Sequence, residues 1–203
     1  MKNGEEFFMK LWKKAAAAVL AAVMSLTLLT GCSGSGGGAS VTYTRDTEKE
    51  KLATQWTQKY VKELAESYGK TDYTLTVDET AVSASEAAMP YFLQQEDYRS
   101  KHPANMGDWT EAEKSEYSQL LSSELNSAIK KLTNKNKKGL PAGFKVPVNE
   151  FSDKSIKAAL DARKDNFIKL LGQVGVGAQD VKTLGVVATV RDGVVYMEIT
   201  FAT

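Results

Sequence analysis

Apolar side chains recur every three to four positions through several stretches of the chain and every second position near its end, and those two periods predict helices and strands. Leu52, Trp56, Tyr60, Leu64 and Tyr68, widened by Val61, predict a first helix that Gly69 stops, and Thr47 as N-cap with Glu50 three residues on reads as a capping box. Thr74 to Val77 alternates like a short extended piece. Asp78 then opens an alanine-rich helical segment through about Ala88, broken at Pro90. Residues 96 to 109, with Pro103, Gly107 and few aliphatic side chains, read as a long connection. Thr110 and Glu113 form a second capping box, and Tyr117, Leu121, Leu125, Ile129 and Leu132 carry one apolar stripe. Glu111, Glu113 and Glu116 load the start of that helix and Lys130, Lys131, Lys135, Lys137 and Lys138 its end, as the helix dipole favours. Gly139 and Pro141 are expected to end it, Phe144-Lys145-Val146 is a candidate strand, and a further helix runs from about Asp153 to Leu171 with Ile156, Leu160, Phe167 and Leu171 inward.

Asp192-Gly193 is a two-residue type I′ turn signal between two β-rich runs. Pairing outward from it sets Val190 opposite Val195, Ala188 opposite Met197, Val186 opposite Ile199 and Leu184 opposite Phe201, all apolar. The other face carries Thr189 with Tyr196, Val187 with Glu198 and Gly185 with Thr200, so this register separates a core face from a more polar one. The expected class is α+β: N-terminal helices packed on a small antiparallel sheet that ends in a C-terminal hairpin.

Ahead of this domain, Met9 to Lys14 is a short basic segment and Ala15 to Leu29 an uncharged apolar run, too short to span a bilayer at about 20 residues but ordered like a secretory signal. The run closes on Leu29-Thr30-Gly31-Cys32, which resembles the lipobox of bacterial lipoproteins. That resemblance implies a diacylglyceryl thioether on Cys32, cleavage between Gly31 and Cys32, and anchoring at the outer face of the cytoplasmic membrane. Ser33 to Ser40 is all Gly, Ser and Ala, a tether whose reach is on the order of 15 Å. The expected divisions are therefore a signal peptide at 1–31, the lipidated cysteine and tether at 32–45, and a single domain at 46–203. Glu5 and Glu6 sit where a signal should be basic, and Gly4-Glu5-Glu6 is encoded by purine-rich codons just before Met9, so Met9 rather than Met1 is the expected start.

The charge balance narrows function mainly by exclusion. With 26 basic and 25 acidic side chains the chain has no field suited to nucleic acid. Loss of residues 1–31 takes away four basic and two acidic groups and leaves the remainder nearly neutral. One cysteine and one histidine preclude an internal disulfide or a Cys/His zinc cluster, and any His-dependent triad would have to use His102. No cofactor motif is present: Gly172, Gly175 and Gly177 follow a helix rather than link a strand to one. Asp161 and Asp165 are four apart on one helix face, but Lys154, Lys157 and Arg163 surround them and mark surface charge. Tyr98, His102 and Trp109 flank the long connection and form a candidate binding loop, with core anchoring by Trp109 as the alternative. The lysines near residues 130–138 suit an anionic lipid or a teichoic-type polymer, and helix capping and solvation account for the same residues.

The first helix, Tyr73 to Glu79 leading into Ala81 to Ala88, and Thr183 to Val187 with Val195 to Phe201 together resemble the CAP superfamily of SCP-like extracellular domains. The likeness covers both ends of the domain and little of its middle, and it implies an α-β-α sandwich. Members with an intact cleft carry two histidines, one in a Gly-His-Arg type motif, where this chain has Ala162-Arg163-Lys164-Asp165. No site residue is carried across, and no catalytic or metal-ligating residue is assigned. Three functions stand open. The leading one is a lipid-anchored domain that binds a protein or an envelope polymer without catalysis; the second is a divergent SCP-like or hydrolytic enzyme. A solute-binding lipoprotein is disfavoured because two lobes fit poorly in the length beyond Cys32.

Overall fold

Asp192 and Gly193 both have positive φ, 52° and 73°, the paired left-handed conformation of a type I′ turn. From this turn β3 (Thr183–Arg191) and β4 (Val194–Ala202) pair antiparallel in the expected register, Val190 with Val195 through Leu184 with Phe201. The structure, a computed structural model, describes residues 41–67 and 69–203. The signal peptide, Cys32, the tether up to Ser40, the two candidate start methionines and Tyr68 lie outside the described residues.

Two further strands complete the sheet in the order β1-β3-β4-β2. β2 (Gly139–Pro147) runs antiparallel to β4, with Leu140 opposite Phe201 and Val146 opposite Val195. β1 (Thr76–Val77) runs parallel to β3, so the sheet is mixed rather than antiparallel. Gly139 and Pro141 belong to β2 and do not end the preceding helix; that helix turns off at Asn136, whose φ is 57°. Pro141 is tolerated because β2 is an edge strand with a neighbour on one side only.

Among the described residues four α-helices cover the sheet: α1 (Thr47–Ser67), α2 (Glu79–Ser100), α3 (Glu111–Thr133) and α4 (Asp153–Gln173). The apolar hairpin face, continued by Leu140, Phe144 and Val146 of β2, packs on Ala53 and Tyr60 of α1 and on Ile156, Leu160 and Leu171 of α4. The opposite face, expected to be the more polar side, is covered as well: Val187 meets Met89, Phe92 and Leu93 of α2, and Ala202 meets Ala84, Ala88, Ala128 and Leu132 of α2 and α3. The result is three layers, helices on each side of one sheet. Alanines make the second interface close. A Cβ on Gly185 would lie 2.1 Å from backbone atoms of Ala81 and Val82, so α2 rests directly on the β3 backbone. Ser85 fits into that contact by bonding Gly185 O at 3.0 Å and Thr200 Oγ1 at 2.8 Å.

Local signals at the helix ends hold at three places and shift at others. Asp78 caps α2 through Thr80 N and Ala81 N, the Thr110–Glu113 box caps α3, and α4 starts where expected. At α1 the cap is Asp46, whose carboxylate accepts from Lys49 N at 3.0 Å, and not Thr47. Glu50 turns instead to β3, accepting from Ala188 N at 3.1 Å and from Nε and Nη2 of Arg45. Asp46 N donates to Ala188 O and Thr189 Oγ1 to Thr44 O, each at 2.8 Å, so this segment covers the edge of β3 beyond the short β1. Val41 and Tyr43 pack against the Met89–Phe92 cluster. Residues 41–45, grouped with the tether on sequence grounds, thus belong to the folded body.

α2 does not break at Pro90; it continues ten residues further, to Ser100, into the stretch read as a connection. Proline at 90 leaves the carbonyl of Glu86 without its helical N–H donor. The Tyr43 hydroxyl donates to that carbonyl at 3.3 Å, replacing a bond along the helix with one from a neighbouring segment. Tyr43→Phe is expected to lose about 1 kcal/mol in urea denaturation. In a Pro90→Ala background, where residue 90 regains its N–H, the same change should cost much less; equal costs in the two backgrounds would dismiss the substitution of one donor for the other.

Candidate functional site

The three residues of the candidate binding loop do come together, at the junction of α2 and α3. Tyr98 and His102 stack at 4.0 Å and 14°, and Trp109 lies 5.7 Å from Tyr98 and 5.4 Å from His102 between ring centroids. Tyr117 meets Trp109 edge-on at 5.4 Å, and Met106 completes a small separate core. Trp109 is only 3% exposed and donates its indole N–H to Pro103 O at 2.7 Å. His102 uses Nδ1 on Tyr98 O and has Nε2 3.5 Å from Glu113. These rings spend their faces on one another and their polar atoms on nearby carbonyls and on Glu113 and Glu116, which pins the connection between the two helices. Of the paired carboxylates, Asp161 accepts from Tyr60 and from Lys157, both at 2.7 Å, which holds it below the ordinary aspartate range through its Lys157 and Tyr60 bonds.

A second cluster, not singled out in the sequence, lies under α2 and α3 on the hairpin face expected to be polar. Glu198 of β4 is fully buried, and Glu124 of α3 lies against it, also buried. Among the described residues no N–H or hydroxyl reaches either Glu198 oxygen. The remaining partner is the Glu124 carboxyl, within hydrogen-bonding reach, so the pair is satisfied when one proton is held between the two. Burial first, and then the neighbouring carboxylate, pushes Glu198 well above the usual glutamate range; burial raises Glu124 to about 7, although the Gln95 amide that bonds it pulls the other way.

Positive charge reaches the pair from the far side of the sheet. Arg163 of α4 passes the β2 edge at Gly143, donating to the Gly143 carbonyl and lying 4.8 Å over the Phe144 ring. A side chain at 143 would collide with Phe92, its Cβ falling 2.4 Å from that ring. Burial lowers the Arg163 pKa, while the charges of Glu198, Glu124 and Glu96 oppose that shift. At the outer margin Glu96 pairs with Lys145 and, at 3.7 Å, with Arg99. Tyr117, on the same side of the cluster, is raised to about 12 by burial. The arrangement can store a proton near neutral pH. It cannot hand that proton to a substrate while Glu198 has no exposed surface. Among the described residues no group of three or more His, Cys, Asp or Glu side chains is placed to hold a metal ion.

The open site is elsewhere. A groove of about 490 Å³ follows the outer seam between α2 and α3, bounded by Tyr91 of α2, by Ser123, Asn126, Lys130 and Lys131 of α3, and by Asn134 just beyond it. Positions 123, 126, 130 and 134 fall at helical spacing on one side of α3, while Leu121, Glu124, Leu125, Ala128 and Leu132 point inward. Lys130 and Lys131 form no ion pair among the described residues, in contrast to Lys137 with Asp78 and Lys114 with Glu111. The sequence showed the lysines. The groove needed the second helix.

The buried pair makes stability depend on pH in a direction that can be stated. Unfolded, both glutamates release their protons near the ordinary 4.5; folded, burial keeps the proton on Glu124 to about 7 and also pushes Glu198 well above its ordinary range. The folded chain therefore holds more protons through that window, and stability falls as pH rises through it. The groups facing the pair are Gln95, Glu96 and Arg99 from α2, Tyr117 from α3, Lys145 from β2 and Arg163 from α4. The thermal midpoint should drop by several degrees between about pH 5 and about pH 8, and Glu198→Gln, whose amide can donate to Glu124, should flatten the drop. An equal slope in the variant would show that the pair does not hold the proton.

Compared with protein-family models, with curated proteins and with solved structures, the chain matches none.

Proposed function

We propose that this chain is an exported lipoprotein, cleaved after Gly31 and lipidated on Cys32, whose α+β domain binds an envelope component or protein partner at the outer face of the cytoplasmic membrane without catalysis. The observation that carries the reading is the order of segments in the first forty residues: basic Met9 to Lys14, apolar Ala15 to Leu29, Leu29-Thr30-Gly31-Cys32, and then a Gly/Ser tether. Two acyl chains on Cys32 give stable anchoring where one would be reversible. The packing of Val41 and Tyr43 on α2 supports a short leash, because only Ser33 to Ser40 separates the cysteine from the folded body. With a reach on the order of 15 Å, that tether keeps the domain beside the lipid headgroups.

The second reading, a divergent SCP-like or hydrolytic enzyme, has the Glu124–Glu198 pair on its side, since a carboxyl that holds a proton near neutral pH suits general acid catalysis. It requires α2 and α3 to lift from the sheet before a substrate could touch Glu198. The binding reading needs no such movement, because the α2–α3 groove is already open.

Mass spectrometry of the protein taken from bacterial membranes is expected to find an N-terminal peptide that starts at Cys32 and carries diacylglycerol. Cys32→Ala is expected to leave washed membranes and collect in the soluble fraction. An unmodified cysteine in the native protein, or an alanine variant retained by washed membranes, would defeat the proposal.

A further inference from the structure

We infer that the α2–α3 groove is the ligand site, and that its ligand is an anionic, hydroxyl-rich chain whose phosphodiester groups meet Lys130 and Lys131 and whose polyol or sugar hydroxyls meet Ser123, Asn126, Asn134 and Tyr91. This assignment rests on the reading of the domain as a binding module and gives that module a site and a ligand class.

The helix dipole accounts for lysines in the last turn of α3, since ammonium groups stabilise the unpaired carbonyls there. It does not account for their setting. Both lysines border one concavity with two asparagines, two serines and a tyrosine, drawn from two helices and the residue that follows the second, and no acidic side chain among the described residues lines it. Some lysines of the domain are matched to carboxylates, Lys59 to Asp153, Lys137 to Asp78, Lys145 to Glu96 and Lys157 to Asp161, while Lys51, Lys135, Lys138 and Lys154, like Lys130 and Lys131, form no ion pair among the described residues; Lys130 and Lys131 differ from these in lining the groove. Lys130 and Lys131 are left with their charge available to a ligand. Ammonium groups meet phosphate as point charges with several donors, whereas amides and hydroxyls both donate and accept, which suits neighbouring hydroxyl groups.

The same lining argues against an acyl chain. Ala87 is the one aliphatic side chain in it, and the exposed large apolar residues Val77, Val148, Ile168 and Val190 lie on other elements. A volume of about 490 Å³ falls within the range that small-molecule sites occupy, enough for a few repeat units of a phosphate-linked polyol. Position also fits. Glu86, whose carbonyl receives the Tyr43 hydroxyl, precedes Ala87 of the groove wall, so the N-terminal segment meets α2 beside the site.

The test uses the full chain in mild detergent, titrated calorimetrically with poly(glycerol phosphate) oligomers, neutral dextran and polyglutamate, and separately with phosphatidylglycerol vesicles. Saturable binding of poly(glycerol phosphate) is expected, weakening with salt, with dextran inert and polyglutamate much weaker. The exposed double substitution Lys130→Ala/Lys131→Ala should leave the thermal midpoint unchanged and weaken binding by about tenfold or more, the worth of roughly one or two charge-assisted hydrogen bonds. Tyr91→Phe should weaken it by less. Absence of saturable binding, equal binding by the lysine variant, or polyglutamate binding as tightly would overturn the assignment. Lysine-dependent binding to the vesicles with none to the polymer would overturn it in favour of a lipid headgroup. Lipidation of the same samples is read by mass: a lipidated chain that ignores the polymer refutes the groove alone, and an unlipidated chain that binds it refutes the anchor alone.

Discussion

Burial of both faces of the β3–β4 hairpin is the constraint on which the rest of the structure depends. A hairpin with one wet face would let Glu198, Thr200 and Thr189 keep their polar groups in water. With α2 and α3 lying over that face, each needs a partner inside the protein, and each supplies a different solution. Thr189 donates to Thr44 O and so ties down the N-terminal segment. Thr200 bonds Ser85 on the helix above it. Glu198 has no neutral donor and is left with a second carboxyl, which makes a proton part of the packing.

The proton then explains where the positive charge sits. Two ionised carboxylates side by side without water would cost several kcal/mol, so the stable form of the pair carries a single negative charge at most. Arg163 reaches that charge by passing Gly143 of β2, where a side chain would collide with Phe92. Glu96 is matched further out by Lys145 and Arg99. The ionic cluster joins β4, β2, α2, α3 and α4, and its balance is a matter of proton occupancy as well as geometry. A domain stitched this way is fixed internally, which suits an open surface site better than a mobile interior one.

That division between a closed interior and an open seam runs along α3. One face of the helix carries Leu121, Glu124, Leu125, Ala128 and Leu132 into the domain, and the adjacent face presents Ser123, Asn126 and Lys130 to the groove. The aromatic knot of Tyr98, His102, Trp109 and Tyr117 fixes the junction at which α2 turns into α3, so the spacing of the two groove walls is set by packed rings. The candidate loop residues contribute to a surface site by holding the helices that form it.

The sequence alone determined what depends on near neighbours. The Asp192-Gly193 turn fixed the hairpin register because side chains alternate strictly from a two-residue loop, and the apolar stripe of α3 and the caps at Asp78 and Thr110 followed from helical period and short-range hydrogen bonds. Tertiary structure decided the rest, because the cost of a polar group or a proline depends on what lies against it. Pro90 reads as a break until Tyr43 supplies the donor that its ring removes, and Thr47 reads as a cap until Asp46 takes that place and Glu50 turns to the edge of β3. The row of Gly185, Val187, Glu198 and Thr200 reads as a wet face until alanines of α2 settle on it. Val187 opposite Glu198, and Glu124 within the apolar stripe of α3, were the available signs. Neither could show that two carboxyls from segments more than seventy residues apart would be buried against each other.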